Sequence, residues 1–349
     1  MRAPGFALVL LSLLGLLLTS CSRPVPPPMA DLDPALWHDY REAFITGDGR
    51  VIDVGNGGVS HTEGQGYGML LAVAANDRAT FDRLWGWTRT HLSRPNDPFF
   101  SFRWNDASTP PIPDINNASD GEVLIAWALA RADQRWHDEA YRKEAIILAS
   151  AIRALLLRQS AIGTVLLPGM EGFEHPTHIT VNPSYWIFPA FRALDRIDPS
   201  RQWDELSESG QALLSEGRFG AAGLPPDWVN ITADGELELG SAEYSRFSFD
   251  AVRVPLYSCW AGMEDRQLLE AIATQWSDPT LPAWINLKTG HSAPYSLSPT
   301  QNVMNHILLN CLGRKNASQT ELTLRVIKDD YYASTLALLG ELALKERKL

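Results

Sequence analysis

Apolar residues recur at helical spacing along most of the chain, and the alternating patterns typical of strands are scarce. The first periodic segment follows Asp33 and Pro34, an N-cap residue and a proline at the first helical position. It places Trp37, Tyr40 and Phe44 on one side. Further segments cover 64–75, 78–92, 120–133, 138–158, 183–196, 200–216, 248–261, 265–275, 300–312, 319–327 and 331–346. The pattern predicts an all-α domain of about twelve helices.

The connections between these segments are of two kinds. Short ones, such as AAND at 74–77, favour antiparallel pairs of helices. Three longer stretches rich in Gly, Pro, Asn and Asp, at 93–119, 159–182 and 217–247, predict functional loops on one face. Within them, TVLLPGMEGF and HITVNPS predict short strands. Six helical hairpins in a ring would form an (α/α)6 barrel, although periodicity alone leaves other twelve-helix packings open.

The N-terminus has the features of an export signal. Arg2 precedes an apolar run that ends at Leu18, and small residues lead to Cys21. The run is too short to make a membrane span the first interpretation. Because Leu18-Thr19-Ser20-Cys21 resembles the bacterial lipobox, we expect cleavage after residue 20 and lipidation of Cys21, with ordinary cleavage nearby as the alternative.

The predicted organisation is therefore a signal peptide over 1–20, a proline-rich linker over 21–32 and a single folded domain over 33–349. An exported protein held in the periplasm or cell envelope by its Cys21 lipid is expected, or otherwise a secreted one.

Composition narrows the class of partner. The net charge of −11 disfavours nucleic acid, since proteins that bind phosphate backbones concentrate Lys and Arg. Twelve Trp are many for a chain of this length. Most of them are expected in the core, Trp127 and Trp260 among them. Cys259 and Cys311 either form a disulfide or remain buried thiols. No Cys or His spacing is typical of a metal site, so no metal ion is expected.

Glu63 stands at the start of a predicted helix among Gly64, Gly66 and Gly68. A glutamate there could simply complement the helix dipole. However, each glycine weakens a helix by up to about 1 kcal/mol relative to alanine. We therefore interpret the glycines as letting the backbone approach a ligand.

Two further carboxylates precede apolar helical segments. Asp120 lies between Ser119 and Glu122, which predict a capping box, so one of Ser119 and Asp120 caps the helix. Asp250 precedes Arg253 by three residues, a spacing that places both on one helical face. The pair is either structural or keeps Asp250 ionised as a base. A carboxylic acid instead needs apolar surroundings, and two such groups suggest glycoside hydrolysis.

Several longer motifs carry a resemblance to a known family. They are SHTEGQGYGMLLAVAANDRATFDRLWGWTRTHL, NNASDGEVLIAWALARADQRW, VNPSYW, LPPDWV, RFSFDAVRVPLY and DDYYASTLALL. In this order, within residues 34–346, they resemble glycoside hydrolase family 8, specifically the endoglucanases that accompany bacterial cellulose synthase. The resemblance implies an (α/α)6 barrel, endo-hydrolysis of β-1,4-glucan with inversion of the anomeric carbon, and no cofactor.

The resemblance also implies roles for the carboxylates. Glu63, in EGQGYGM, matches the general acid, and Asp250, before AVR, matches the water-activating base. Asp120 falls on the aspartate of ASDG; because an inverting reaction needs no covalent intermediate, we assign it to binding and distorting the central sugar. Glu122 replaces a second aspartate that is usual in this motif, which leaves the support of Asp120 open.

Substrate contacts follow from the same match. Trp104, Tyr185 and Tyr332 lie in loops or helix starts that match the family's aromatic platforms, with Arg253 beside the base. For Trp104, sugar stacking and core packing are equally compatible with the sequence. The expected partners are a β-1,4-glucan, the cellulose synthase complex and a membrane. Xylanase, lichenase or chitosanase activity uses the same scaffold and remains open, as does a non-catalytic glucan-binding scaffold of the cellulose machinery.

Overall fold

The computed structural model describes residues 29–241, 244–263, 265–314 and 325–349. Eleven α-helices lie in these ranges: α1 Pro34–Phe44, α2 Thr62–Ala74, α3 Arg78–Leu92, α4 Ser119–Trp136, α5 Glu139–Ala151, α6 Phe188–Ile197, α7 Arg201–Glu216, α8 Val254–Ala261, α9 Arg266–Gln275, α10 Pro299–Cys311 and α11 Tyr331–Arg347. In the described part of the chain, none of these helices combines the length and apolarity needed to traverse a bilayer.

Nine short strands form antiparallel pairs in the loops between the helices. They are β1 Ser60–His61, β2 Arg103–Trp104, β3 Leu157–Ser160, β4 Gly163–Leu166, β5 His178–Val181, β6 Val229–Thr232, β7 Leu237–Leu239, β8 Arg246–Phe247 and β9 Ile285–Asn286. Strand β1 pairs with β2, β3 with β4 and β8 with β9, while β6 lies between β5 and β7. The two strands predicted in the second long loop are thus confirmed as β4 and β5.

The helices form two concentric layers. Helices α2, α4, α6, α8, α10 and α11 pack side by side in an inner ring that closes from α11 back to α2. Helices α1, α3, α5, α7 and α9 alternate with them along the chain and lie outside. α2 is apolar on all sides because its neighbours surround it, and almost every residue of α2 is buried.

Aspartates begin many of the helices, as the sequence predicts for the first. The side chain of the N-cap residue accepts a hydrogen bond from a first-turn amide in helices α1, α3, α5, α9 and α11. These residues are Asp33, Asp77, Asp138, Asp265 and Asp330. Leu32, just before the predicted start of the domain, is already part of the core.

Some predicted helical boundaries differ from the structure. Proline stands in the first turn of α6 and of α8, and because it lacks an N–H it favours the start of a helix over its interior. Residues 183–187 and 248–253 therefore form short 3-10 turns and loops. The predicted segment 319–327 falls largely on residues 315–324, outside the described residues, and 325–327 are not helical.

The glycines of α2 serve helix packing, which corrects their interpretation as a ligand approach. A Cβ at Gly66 would lie 2.6 Å from Cβ of Leu124 on α4. In return, a Cβ at Gly121 of α4 would lie 2.1 Å from Oγ1 of Thr62 on α2. Both distances are far below a normal carbon contact, so only glycine lets α2 and α4 approach this closely.

The two buried cysteines form a disulfide. Cys259 on α8 is bonded to Cys311 on α10, with a Cα–Cα distance of 6.0 Å. The sequence left this pairing open, because only the packing of the inner ring brings the two helices together.

Candidate active site

A single buried arginine holds three carboxylates together. Nη1 of Arg253 donates hydrogen bonds to Glu63 and, at 3.2 Å, to Oδ2 of Asp120. Nη2 donates to Oδ1 of Asp250 at 2.7 Å and to Oγ of Ser184 at 2.9 Å. The side chain of Arg253 is only 2% exposed. The structure therefore brings Glu63, Asp120, Asp250 and Arg253, all named from the sequence, into one cluster.

The inner ring explains why these residues meet. Glu63 is the second residue of α2, and Asp120 is the second residue of α4. Asp250 and the turn Ala251–Arg253 lead directly into α8. Because these helices all begin at the same end of the ring, their first turns face a common space.

The predicted capping box of α4 is wrong. The N-cap is Ala118, and Ser119 is already inside the helix. Oε1 of Glu122 accepts a hydrogen bond from the backbone N–H of Phe100 at 2.9 Å, so it does not reach back to the start of its own helix. Burial raises the pKa of Glu122 well above its usual range. Its longer side chain thus connects α4 to the preceding loop.

Glu63 and Asp120 have opposite pKa shifts. Burial acts to raise the pKa of Glu63, but the charge of Arg253 opposes it, and the net pKa is lowered. Burial and the charge of Glu63 raise the pKa of Asp120 well above its usual range, against the effect of Arg253. The two side chains share a hydrogen bond. Because two adjacent carboxylates cannot both ionise at low cost, the opposite directions of the two pKa shifts favour a proton on Asp120 over one on Glu63.

Asp250 is the most accessible of the three carboxylates, with 34% of its side chain exposed. Burial raises its pKa, Arg253 opposes this, and the charge of Glu63 raises it again; the net pKa is above the usual value. The sequence left open whether the Asp250–Arg253 pair is structural or keeps Asp250 ionised as a base. The pair exists, and Arg253 acts to lower the pKa of Asp250, but burial and the charge of Glu63 outweigh it.

Asp227 is a buried carboxyl that the sequence interpretation gave no role. Its Oδ1 accepts hydrogen bonds from the backbone N–H groups of Ser248 at 3.0 Å and Ala251 at 2.8 Å. Burial, and then the charge of Asp250, raise its pKa to about 7. Asp227 thus fixes the turn that carries Asp250. Its place in the LPPDWV motif was the available signal.

An aromatic cluster lies beside Asp250. Trp228 stacks on Phe173, with ring centroids 5.8 Å apart and planes 3° apart. Trp228 also meets two tyrosine rings edge to face, with ring centroids 6.0 Å apart for Tyr185 and 6.1 Å apart for Tyr244. A hydrogen bond from Trp228 lowers the pKa of Asp250. The sequence named Tyr185 alone of these four, because exposed aromatic residues from separate loops leave no periodic pattern.

Trp104 lies near Glu63, and Tyr332 lies near Asp250. Strand β2 places Trp104 opposite Ser60, three residues before the glutamate of α2. Its ring is partly buried and meets the ring of Trp87 edge to face, with the two ring centroids 5.8 Å apart. Tyr332 is the second residue of α11 and donates a hydrogen bond from Oη to the carbonyl of Phe249 at 2.9 Å. Each side chain thus combines packing with partial exposure at this end of the ring.

The cluster is suited to one kind of chemistry. It contains carboxyl groups whose pKa values are shifted in opposite directions, next to aromatic faces that can stack on sugar rings. Hydrolysis of a glycosidic bond requires such a pair, one to protonate the leaving oxygen and one to act on the opposite face. The fold and the site therefore define a glycoside hydrolase.

Comparison with known proteins gives the family. Glycosyl hydrolases family 8 matches residues 7–346, and the chain belongs to this family. It is 41% identical to an endoglucanase of Cellulomonas uda over 82% of this chain and 80% of that protein. It is 37% identical to a probable endoglucanase of Novacetimonas hansenii over 92% of this chain and 94% of that protein.

A solved structure agrees with this assignment. The endo-β-1,4-glucanase CMCax from Acetobacter xylinum superimposes with a TM-score of 0.83 at 36% identity, covering 90% of this chain and 98% of that one. The predicted resemblance and the predicted (α/α)6 fold are both confirmed.

Proposed function

We propose that this protein is an inverting endo-β-1,4-glucanase that cleaves cellulose-type glucan in the bacterial cell envelope. The proposal rests on one observation: Arg253 forms ion pairs with Glu63, Asp120 and Asp250. The endoglucanase and endo-β-1,4-glucanase relatives named above support the choice of a β-1,4-glucan over the xylan, mixed-linkage glucan and chitosan alternatives.

In the proposed mechanism, Asp250 is the base. It removes a proton from a water molecule while the water oxygen attacks the anomeric carbon, and the glycosidic bond breaks on the opposite face. Glu63 donates its proton to the departing oxygen. Arg253 binds the two carboxylates through different nitrogens, and the proposed inversion requires space for a water molecule between Asp250 and the sugar ring.

Glu63 must carry a proton before it can act as the acid, whereas the directions of the two pKa shifts favour the proton on Asp120 in the free site. A sugar hydroxyl that donates a hydrogen bond to Asp120 would stabilise the ionised form of Asp120. The proton would then move to Glu63 along the hydrogen bond that the two share. Substrate binding thus prepares the acid, which gives Asp120 a role in addition to holding the central sugar.

The aromatic side chains supply affinity for an uncharged polymer. An acidic protein neither attracts nor repels neutral glucan, so binding depends on stacking and on hydroxyl hydrogen bonds. We assign Trp228 and Tyr185 to one side of the cleaved bond, Trp104 to the other, and Tyr332 to the rim.

The decisive experiment compares Glu63→Gln and Asp250→Asn with Asp39→Asn and Glu208→Gln, two matched changes at exposed sites. Hydrolysis of carboxymethylcellulose should fall by roughly a thousandfold in each of the first pair, with binding to the polymer retained. NMR of the wild-type products should show inverted anomers. A variant of the first pair that keeps full activity would reject the assignment, and a wild-type protein that binds without hydrolysis would favour the scaffold function.

We further propose that the protein is a lipoprotein of the periplasm or cell envelope, anchored through Cys21, which edits cellulose during its synthesis and export. Residues 1–28, including Cys21, lie outside the described residues. Labelling with a radioactive fatty acid, followed by membrane fractionation, tests the anchor. Cys21→Ser should abolish the label and release the protein from membranes; an unchanged distribution would contradict the proposal.

A further inference from the structure

A second cluster of charged and aromatic residues lies at the opposite end of the barrel. The C-terminal ends of α4, α6, α8 and α11 line a cavity of about 600 Å³. Arg192, Arg196, Trp127 and Trp260 are among its lining residues. Since the proposed catalytic carboxylates lie at the N-terminal ends of the inner helices, this cavity belongs to a separate face.

Two arginines of α6 bring positive charge to the cavity. Arg192 and Arg196 are one helical turn apart, so their side chains extend in the same direction. Nη1 of Arg192 donates a hydrogen bond to the carbonyl of Ala261 at 2.5 Å, which caps the end of α8. Capping alone is a structural explanation, but it uses one of the five N–H donors of a guanidinium.

The acidic residues around the cavity are mostly engaged with other arginines. Glu346 forms an ion pair with Arg131 at 2.5 Å, and Asp133 lies 3.7 Å from Arg142. Burial lowers the pKa of both Arg192 and Arg196; the charge of Arg192 lowers that of Arg196 further, and the charge of the neighbouring Asp195 only partly offsets this. The two arginines of α6 are therefore close, half-buried like charges, an arrangement that an anion would relieve.

Two indoles, nearly buried at 3% and 6% exposure, also line the cavity. Trp127 and Trp260 meet edge to face, with centroids 4.9 Å apart. Nε1 of Trp260 donates to Oε2 of Glu346 at 2.7 Å, and the guanidinium of Arg131 lies 5.4 Å from the ring centroid of Trp127. These contacts hold the two indoles in place, so the wall is preformed.

We infer that this cavity binds a phosphate-bearing ligand whose phosphate is held by Arg192 and Arg196 and whose apolar part contacts the indole wall. The planar guanidinium matches the geometry of phosphate oxygens, and two of them on one helix face can bind the same group. A free phosphomonoester and the headgroup of an anionic phospholipid share this chemistry.

The position of the chain favours the lipid source, if the proposed anchor at Cys21 holds. Met29 lines the same cavity. Met29 lies eight positions after Cys21, and a fully extended chain of that length spans about 28 Å. The cavity face of an anchored protein would therefore stay near the membrane surface.

The test for the soluble source uses calorimetric titration of the Cys21→Ser chain with phenyl phosphate and inorganic phosphate. Phenyl phosphate should bind more tightly because its ring contacts the indoles. Arg196→Gln and Arg192→Gln should each weaken binding at least about tenfold. Arg201→Gln, at a side chain that is 88% exposed on α7, removes the same charge elsewhere and should have no effect.

The second arm uses vesicles of phosphatidylcholine with or without phosphatidylglycerol. Binding that requires phosphatidylglycerol and is lost in Arg196→Gln identifies a lipid headgroup, whereas phenyl phosphate binding without vesicle binding identifies a soluble ligand. Because Arg192→Gln removes a helix cap, its thermal unfolding is measured alongside. The inference is overturned if neither probe binds, or if Arg196→Gln binds both as the wild type does. Hydrolysis is not measured, so failure here leaves the proposed glucanase untouched.

Discussion

Oδ1 of Asp227 accepts a hydrogen bond from the backbone N–H of Ala251 at 2.8 Å, which ties a buried carboxyl to the residue next to the proposed base. Burial, together with the charge of Asp250, raises the pKa of Asp227 to about 7. A change at Asp227 therefore acts on both the position and the charge of the proposed base.

This raised pKa predicts a specific pH dependence of stability. Between about pH 4 and pH 7 the folded protein keeps a proton on Asp227 that the unfolded chain releases, so the free energy of unfolding falls as the pH rises. Asp227→Asn should make this fall shallower, since an amide does not titrate. Urea unfolding at several pH values measures the slope, and Asp39→Asn, at an exposed position, should leave it unchanged.

Replacing the shared arginine should damage catalysis even when the charge is kept. Arg253→Lys offers one ammonium where the structure uses two guanidinium nitrogens, so it cannot hold Glu63, Asp120 and Asp250 together. We expect kcat on carboxymethylcellulose to fall about a hundredfold. Arg153→Lys breaks a similar two-nitrogen contact, with Asp198, and should leave kcat unchanged. Equal losses in both variants would contradict a special role for Arg253.

Trp228 should contribute to substrate binding more than to folding. Its partly exposed ring stacks on Phe173 beside Asp250, so Trp228→Ala removes a sugar platform. We expect KM for carboxymethylcellulose to rise about tenfold. The control is Trp136→Ala, at the C-terminal end of α4, which should lower the melting temperature without changing KM. An unchanged KM for Trp228→Ala would place the substrate elsewhere.

The disulfide should contribute to stability rather than to activity. It joins Cys259 and Cys311 across 52 residues of sequence, and loop closure of that length corresponds to about 4 kcal/mol. The double variant Cys259→Ala with Cys311→Ala should unfold at lower denaturant concentration and keep its kcat at room temperature. Suppose that a reducing agent leaves the stability of the wild type unchanged while the double variant is less stable. The stability lost in the double variant then comes from packing, and the disulfide contribution is refuted.

Two glycine-to-alanine changes should have opposite effects. At Gly66 a Cβ would lie 2.6 Å from Cβ of Leu124, so Gly66→Ala should cost about 1–3 kcal/mol through overpacking between α2 and α4. At Gly86, in α3, a Cβ would have no neighbour within 4 Å, and Gly86→Ala should stabilise the helix by about 0.5–1 kcal/mol. Thermal unfolding of the pair measures both. A neutral Gly66→Ala would show that α2 and α4 can separate freely.

The sequence alone was sufficient for features set by local chemistry and regular spacing. Helical periodicity predicted the segments of most helices, and Asp33 with Pro34 predicted the start of α1. The spacing of Asp250 and Arg253 predicted their contact, which the structure contains at 2.7 Å. Each of these follows from residues at most a few positions apart, so no knowledge of the rest of the chain was needed.

Tertiary structure decided what depends on contacts between distant segments. Arg253 bonds Glu63 and Asp120, 190 and 133 positions away, only because the inner helices begin at one end of the ring. The same packing placed Glu122 against the backbone of Phe100, gave the glycines of α2 their role and raised the pKa of Asp120. Burial and neighbouring charge set these properties, and both are determined by which surfaces meet in the folded chain.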